Sequence, residues 1–283
     1  MRWSLLEIAG RAEIAVWVGE NAFHLRELDA NLSVIDVLSR SSRLREQLDH
    51  IPTQCAPIDQ RQMRYLPPLL GQKILCAGLN YRDHIAETGS VTPKYPNLFI
   101  RFPDSLVGHE EALEIPDVSV EFDYEVELAV VLGRPLSGRI SREQALAAVS
   151  GYTIFNDGSL RDLQFRSSQW TLGKNVARSG AMGPWVVSAD DLPVGGAGLR
   201  LQTRIGEETM QDGNTGDLLF DVADLLVATA AALPLRPGDV LATGTPAGVG
   251  FSRQPPRFLQ AGEICELQIE GIGTLRNPIR HAR

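Results

Sequence analysis

Cysteine is scarce in this chain of 283 residues: Cys55, Cys76 and Cys265 are the only three, they lie far apart, and no CxxC pair occurs. That excludes a disulfide framework and a cysteine-built zinc site, and it points to a reducing compartment. Long apolar runs are also missing. The longest, from Leu225 to Leu235, is far too short to span a bilayer. The opening MRWSLLEIAGRAE reaches Glu7 and Arg11 too early for the core of a signal peptide, so the cytoplasm is the expected location. Positive charge is in the minority, 27 Lys and Arg against 35 Asp and Glu, a net charge of −8. This argues against nucleic acid and anionic membrane as partners, yet leaves room for a local basic pocket that takes an acidic small molecule. No internal repeat or low-complexity tract occurs. The glycines of DVLATGTPAGVG match neither a P-loop nor a G-x-G-x-x-G fingerprint. They read instead as backbone that can approach a ligand closely, with Thr243 and Thr245 as donors.

The length suits one large domain, or one domain with a small appendage. Residues 1–70 differ in texture from the rest. Two short strands are expected between Leu5 and Leu25, around Gly19 and Asn21. Helical spacing follows from Ser33 to Ile51, then an aperiodic stretch with Pro67-Pro68 that reads as a linker ending near Gln72. We read residues 1–70 as a small N-terminal subdomain and 71–283 as the catalytic domain.

The central stretch is Phe122–Arg134, FDYEVELAVVLGR, which alternates and then turns wholly apolar, the pattern of a strand entering a buried sheet. Side chains two apart on a strand share a face, so Glu125 and Glu127 point the same way. Two readings are open: a solvated strand face, or a carboxylate pair around a hard divalent cation, which would relieve their mutual repulsion. Elsewhere, Asp83 is placed to cap a short helix closed by Gly89, on which His84 and Glu87 are i, i+3 neighbours. They are either a surface pair or a base with its orienting carboxylate. Ser141 and Gln144 form a capping box. Asp157 ends the strand Gly151–Asn156 and is either a turn residue or a third metal ligand. Arg161 and Gln164 are i, i+3 on the helix expected after it. The stretch from Trp170 to Gly183 reads as irregular, with Lys174 either a placed cation or part of a flexible loop. An Ala-rich helix capped by Asp221, a short strand and a closing hairpin-like pair complete the chain.

The segments NYRDHIAETG, FDYEVELAVVLGR, YTIFNDGSLRDLQ, WTLGKN, PGDVLATGTPAGVG and IEGIGTLRNP, in this order and at these spacings, resemble the fumarylacetoacetate hydrolase family over about residues 65–280. The resemblance implies an α+β fold, a mixed β-roll with few helices, and a homodimer. It implies that Glu125, Glu127 and Asp157 hold Mg²⁺, or Mn²⁺ or Ca²⁺ in its place, and that His84 and Glu87 form a dyad on a lid helix. Lys174 becomes a pocket cation; Arg161, Gln164 and Thr245 become substrate-binding residues. Many members carry Lys where this chain has Arg101, which is expected to contact substrate as a flat, bidentate cation.

The chemistry expected from such a site is metal-dependent hydrolysis of a C–C bond in a β-diketo acid of acylpyruvate or fumarylpyruvate type. The cation would steady the departing enolate, His84 and Glu87 would activate water, Lys174 and Gln164 would stabilise the oxyanion, and Arg161 would hold the substrate carboxylate. Each oxyanion contact of this kind is worth roughly 3 kcal/mol. The alternative is decarboxylation or keto–enol isomerisation of an oxaloacetate-like or hydroxymuconate-type acid in aromatic catabolism. A degenerate, binding-only member is the third reading, and the intact acidic triad argues against it.

Overall fold

The computed structural model describes residues 1–48, 55–71 and 73–282. Three strands open the chain, β1 (Arg2–Ile8), β2 (Arg11–Val18) and β3 (Asn21–His24), where the turn residues predict two. The extra turn forms at Ala9 and Gly10, both at positive φ. Helices α1 (Leu25–Leu28), α2 (Val34–Ser39) and α3 (Ser42–Leu48) follow. The helical spacing from Ser33 is divided because Arg40 takes a left-handed conformation, φ 54°. The part of that spacing beyond Leu48, and the linker end at Gln72, lie outside the described residues.

Next come β4 (Met63–Leu66), β5 (Ile74–Gly78), α4 (Arg82–Glu87), β6 (Asn97–Arg101), β7 (Leu106–Val107), β8 (Leu113–Ile115), β9 (Phe122–Asp123) and β10 (Val126–Leu132). The middle of the chain supplies α5 (Arg142–Ala147), β11 (Val149–Asn156), β12 (Ser159–Leu160), α6 (Arg161–Gln164), α7 (Thr171–Lys174) and β13 (Gly180–Ser188). The last third adds β14 (Arg200–Ile205), β15 (Glu208–Asn214), α8 (Val222–Ala232), β16 (Val240–Ala242), β17 (Ile264–Ile269) and β18 (Gly273–His281).

An 11-stranded mixed sheet runs in the order β3-β2-β1-β13-β11-β10-β16-β5-β6, with β4 on β1 and β7 on β13. A 5-stranded sheet, β15-β14-β17-β18-β8, packs on one face. With short helices and two large sheets, this is the α+β roll that the motif order implies. Strand β10 lies at the centre, and its alternation sorts the two cores. Val126, Leu128, Val130 and Leu132 enter the core shared with Leu201, Leu267 and Leu275 of the second sheet. Ala129 and Val131 enter the opposite core, with Trp3, Val16, Leu38 and Leu44. A strand buried on both faces must be apolar on both, which explains the unbroken run AVVL. The N-terminal segment therefore covers one face of the sheet that carries the candidate site. It also extends that sheet, since β1 pairs antiparallel with β13.

Candidate active site

The stretch read as one strand from Phe122 is broken at Tyr124 and Glu125. Side chains take over the missing ladder bonds. The Asp123 carboxylate accepts from Tyr124 N at 2.8 Å, and Glu125 N donates to Asn156 Oδ1 at 3.1 Å. The break keeps the period of two, so Asp123, Glu125 and Glu127 all fall on one side, at the end of the sheet where β11 stops at Asn156. Asp157 follows it directly. One oxygen from each of Glu125, Glu127 and Asp157 lies within 4.8 Å of the others, and all three residues are buried. Ligands on one cation at roughly 2.0–2.6 Å cannot be more than about 4–5 Å apart, so this spacing suits a common Mg²⁺, Mn²⁺ or Ca²⁺.

The charges show what such a cation would do. Lys174 Nζ bridges Glu125 Oε2 at 2.7 Å and Asp157 Oδ2 at 2.6 Å. Arg161 donates through Nε to Asp123 Oδ2 at 2.8 Å and through Nη1 to Gln164 Oε1 at 2.8 Å. Its Nη2 stands 2.7 Å from Glu125 Oε1 as an ion pair, outside hydrogen-bond alignment, and has no hydrogen-bond partner. Burial pushes the Glu125 carboxyl up, but Lys174 and Arg161 outweigh it and hold it down to about 2. Glu127 is the opposite case. Burial, then the charges of Asp157 and Glu125, push its carboxyl well above the usual range. Among the described residues no cation pairs with Glu127, whose carboxylate accepts only from Gly244 N at 2.8 Å. Gly244 can come this close because it is glycine at φ +98, where a Cβ would meet Asn80 at 2.9 Å. Asp123, Glu125, Glu127 and Asp157 face three cations, Arg101, Arg161 and Lys174. The cluster is one positive charge short, and the shortfall sits at the residue a metal would ligate.

His84 and Glu87 lie on α4. The expected N-cap, Asp83, is instead inside the first turn. Tyr81 takes the cap position, and Asp83 accepts from His84 N at 2.7 Å and Ala247 N at 3.3 Å. His84 Nδ1 is 3.3 Å from Glu87 Oε2, and Glu87 Oε1 accepts from Gly248 N at 2.9 Å. The dyad thus ties the helix to the GTPAGVG loop. Burial pushes the Glu87 carboxyl up, and contacts with His84, Ser252 and Gly248 N more than reverse this, leaving it below its ordinary value. Lys174 is not on a flexible loop: it ends the one-turn helix α7 and is buried.

A cavity of about 180 Å³ brings His84, Glu125, Glu127, Asp157, Arg161, Gln164, Lys174 and Thr245 together. Glu87 stands behind His84. Arg101 requires a correction: it is buried and turned away from the cavity. Its guanidinium donates to Asp157 Oδ1 at 2.7 Å, Gly158 O at 3.0 Å and Ser179 Oγ at 2.8 Å. It braces a metal-ligand candidate and is not among the residues that line the cavity. Two kinds of site residue escape the sequence reading. Asp123, which also accepts from Gly250 N at 2.7 Å and Phe251 N at 3.1 Å, continues the Glu125–Glu127 spacing by one more step, a signal that was there to read. The rings of Phe99, Phe165, Trp170 and Phe251 line the cavity without any shared local pattern.

Comparison with known proteins agrees with this fold. The profile described as the fumarylacetoacetate (FAA) hydrolase C-terminal domain matches residues 73–280. Oxaloacetate tautomerase YisK of Bacillus subtilis is 40% identical over 216 residues, 75% of this chain and 71% of that protein. The mitochondrial oxaloacetate tautomerase Fahd2a of Rattus norvegicus is 36% identical over 231 residues, 81% of this chain and 73% of that protein. A solved structure of a fumarylacetoacetate hydrolase from Exiguobacterium antarcticum covers 100% of both chains at 33% identity and a TM-score of 0.86. This chain belongs to the fumarylacetoacetate hydrolase family of enzymes.

Proposed function

We propose that this protein enolises a small 2-oxo acid, moving a proton between the carbon beside the carbonyl and the carbonyl oxygen. The observation that carries this is one shared cavity: His84, with Nδ1 taken by Glu87, opens onto the space faced by the three carboxylates. Glu125, Glu127 and Asp157 would hold the divalent cation, Mg²⁺ in the first instance, which supplies Lewis acidity to a carbonyl oxygen. With Nδ1–H donating to Glu87, His84 Nε2 is the basic nitrogen and accepts the proton from carbon. Arg161 Nη2, buried and without a hydrogen-bond partner, is the donor for the substrate carboxylate. Thr245 Oγ1 accepts from Gln211 Nε2 at 2.8 Å, so its own proton is free to point at substrate. The tautomerase names of the two relatives support this order of preference.

The second reading is hydrolysis of an acylpyruvate-type β-diketo acid. The same dyad can deprotonate water, and the full-length match to a fumarylacetoacetate hydrolase favours it. Water would add to the far carbonyl, the C–C bond would break, and the carbon released would take up the proton. In either case the partner is a small acid and not nucleic acid or membrane. Among the described residues no helix is long and apolar enough to cross a membrane. A homodimer belongs to the same proposal, supported by exposed Ile100 and Phe102 beside the free edge of the large sheet at β6.

A Mg²⁺ panel of oxaloacetate, acetylpyruvate, fumarylpyruvate and a hydroxymuconate, with products identified, tests the choice. Faster enol–keto exchange of oxaloacetate, abolished by chelator, is the expected result. Acylpyruvate cleavage without tautomerisation would put the second reading first.

A further inference from the structure

Two aromatic pairs line the part of the cavity beyond the charged groups. Phe99 and Trp170 meet edge-on with centroids 5.4 Å apart, and Phe165 and Phe251 do the same at 5.4 Å. Each pair begins where a cation ends: Lys174 Nζ lies 5.2 Å from the Phe99 ring, and Arg161 lies 4.5 Å over the Phe251 ring. Trp170 is a fixed platform. It packs so closely on Gly78 that a Cβ there would stand 2.3 Å from its ring. Phe165 is 57% exposed at the mouth, an apolar ring that an occupant would cover.

The charges in the cavity are already committed. Lys174 serves Glu125 and Asp157, and Arg161 serves Asp123 through Nε and Gln164 through Nη1, leaving Nη2, an ion pair with Glu125 outside hydrogen-bond alignment, as the donor without a hydrogen bond. The hydroxyls on the lid side are committed as well: Thr88 Oγ1 donates to His84 O at 2.9 Å and shares a hydrogen bond with Ser90 Oγ at 2.8 Å. One carboxylate therefore finds a charged donor. A second one, at the far end of a diacid, would be desolvated against ring faces, the negative side of the ring quadrupole.

We propose that this cavity selects 2-oxo acids with a single carboxylate and a flat apolar tail, aryl or conjugated, over dicarboxylates such as oxaloacetate. This rests on the enolisation reading and narrows its substrate class. The test compares phenylpyruvate with oxaloacetate in the Mg²⁺-loaded protein, by enol–keto exchange and by calorimetric binding. The kcat/KM ratio should favour phenylpyruvate by about tenfold or more. Phe165→Ala should cut that ratio about tenfold, and Phe165→Leu, which keeps apolar bulk without a flat face, should cut it by less. Exchange of both acids with oxaloacetate preferred, or a ratio unmoved in Phe165→Ala, would overturn this inference and leave the enolisation reading standing. Exchange of neither acid would overturn the enolisation reading. Binding then decides tail selection alone, upheld by tighter phenylpyruvate and refuted by tighter oxaloacetate.

Discussion

Asp157→Asn is expected to lower turnover by about 10²–10³-fold or more and to weaken Mg²⁺ binding in parallel. The substitution keeps the shape of the side chain and removes its charge. Asp157 touches three parts of the site at once: the space shared with Glu125 and Glu127, the Lys174 ammonium at 2.6 Å, and the Arg101 guanidinium at 2.7 Å. All of these groups are buried, so a lost charge is not made good by water. Breaking a buried ion pair costs roughly 3–5 kcal/mol, so the midpoint of denaturant unfolding should fall as well. Circular dichroism comes first, to confirm a folded variant, followed by turnover and metal titration. A folded Asp157→Asn protein with ordinary turnover would remove Asp157 from the site.

His84→Ala is the complementary case. Turnover should drop by about 10²–10⁴-fold, the usual range for losing a positioned acid–base group, while Mg²⁺ affinity stays near that of the parent protein. His84 contacts Glu87 and not the three carboxylates, so the two readouts separate. Turnover within a few-fold of the parent would end the role of His84 as base. The anchoring of its helix has its own pH signature. Because the Glu87 carboxyl sits below its ordinary value in the folded protein, its contribution is fully present above the ordinary carboxylate range. It is lost only as pH falls through the lowered value.

Much of the site was legible in the sequence because strand periodicity and short helical spacings are local. Glu125 with Glu127, Asp157 at a strand end, and His84 with Glu87 all follow from positions within one element. The family resemblance then joined elements that no local rule connects. What stayed hidden was set by long-range contacts. Arg101 is expected to contact substrate, and only the fold shows it facing Asp157, 56 residues away. Lys174 sits in a glycine-rich stretch that reads as loop, yet packing makes it a helix end. The aromatic lining comes from four separate segments, and no single segment advertises it. The N-terminal residues carry no chemistry in their pattern. Their contribution, Trp3, Leu38 and Leu44 in the core beneath β10, depends on pairing across the chain.

A single dication would complete a cluster otherwise short of a positive charge, with the shortfall at Glu127. Burial and the neighbouring carboxylates Asp157 and Glu125 push the Glu127 carboxyl up, so a proton competes with the cation for that carboxylate. The direct measurement is calorimetric titration of Mg²⁺ at about pH 6 and about pH 8, each in two buffers of different ionisation enthalpy. Affinity should rise with pH, protons should be released on binding, and both effects should be lost in Glu127→Gln. Binding that is independent of pH and releases no proton, or undiminished affinity in Glu127→Gln, would contradict it.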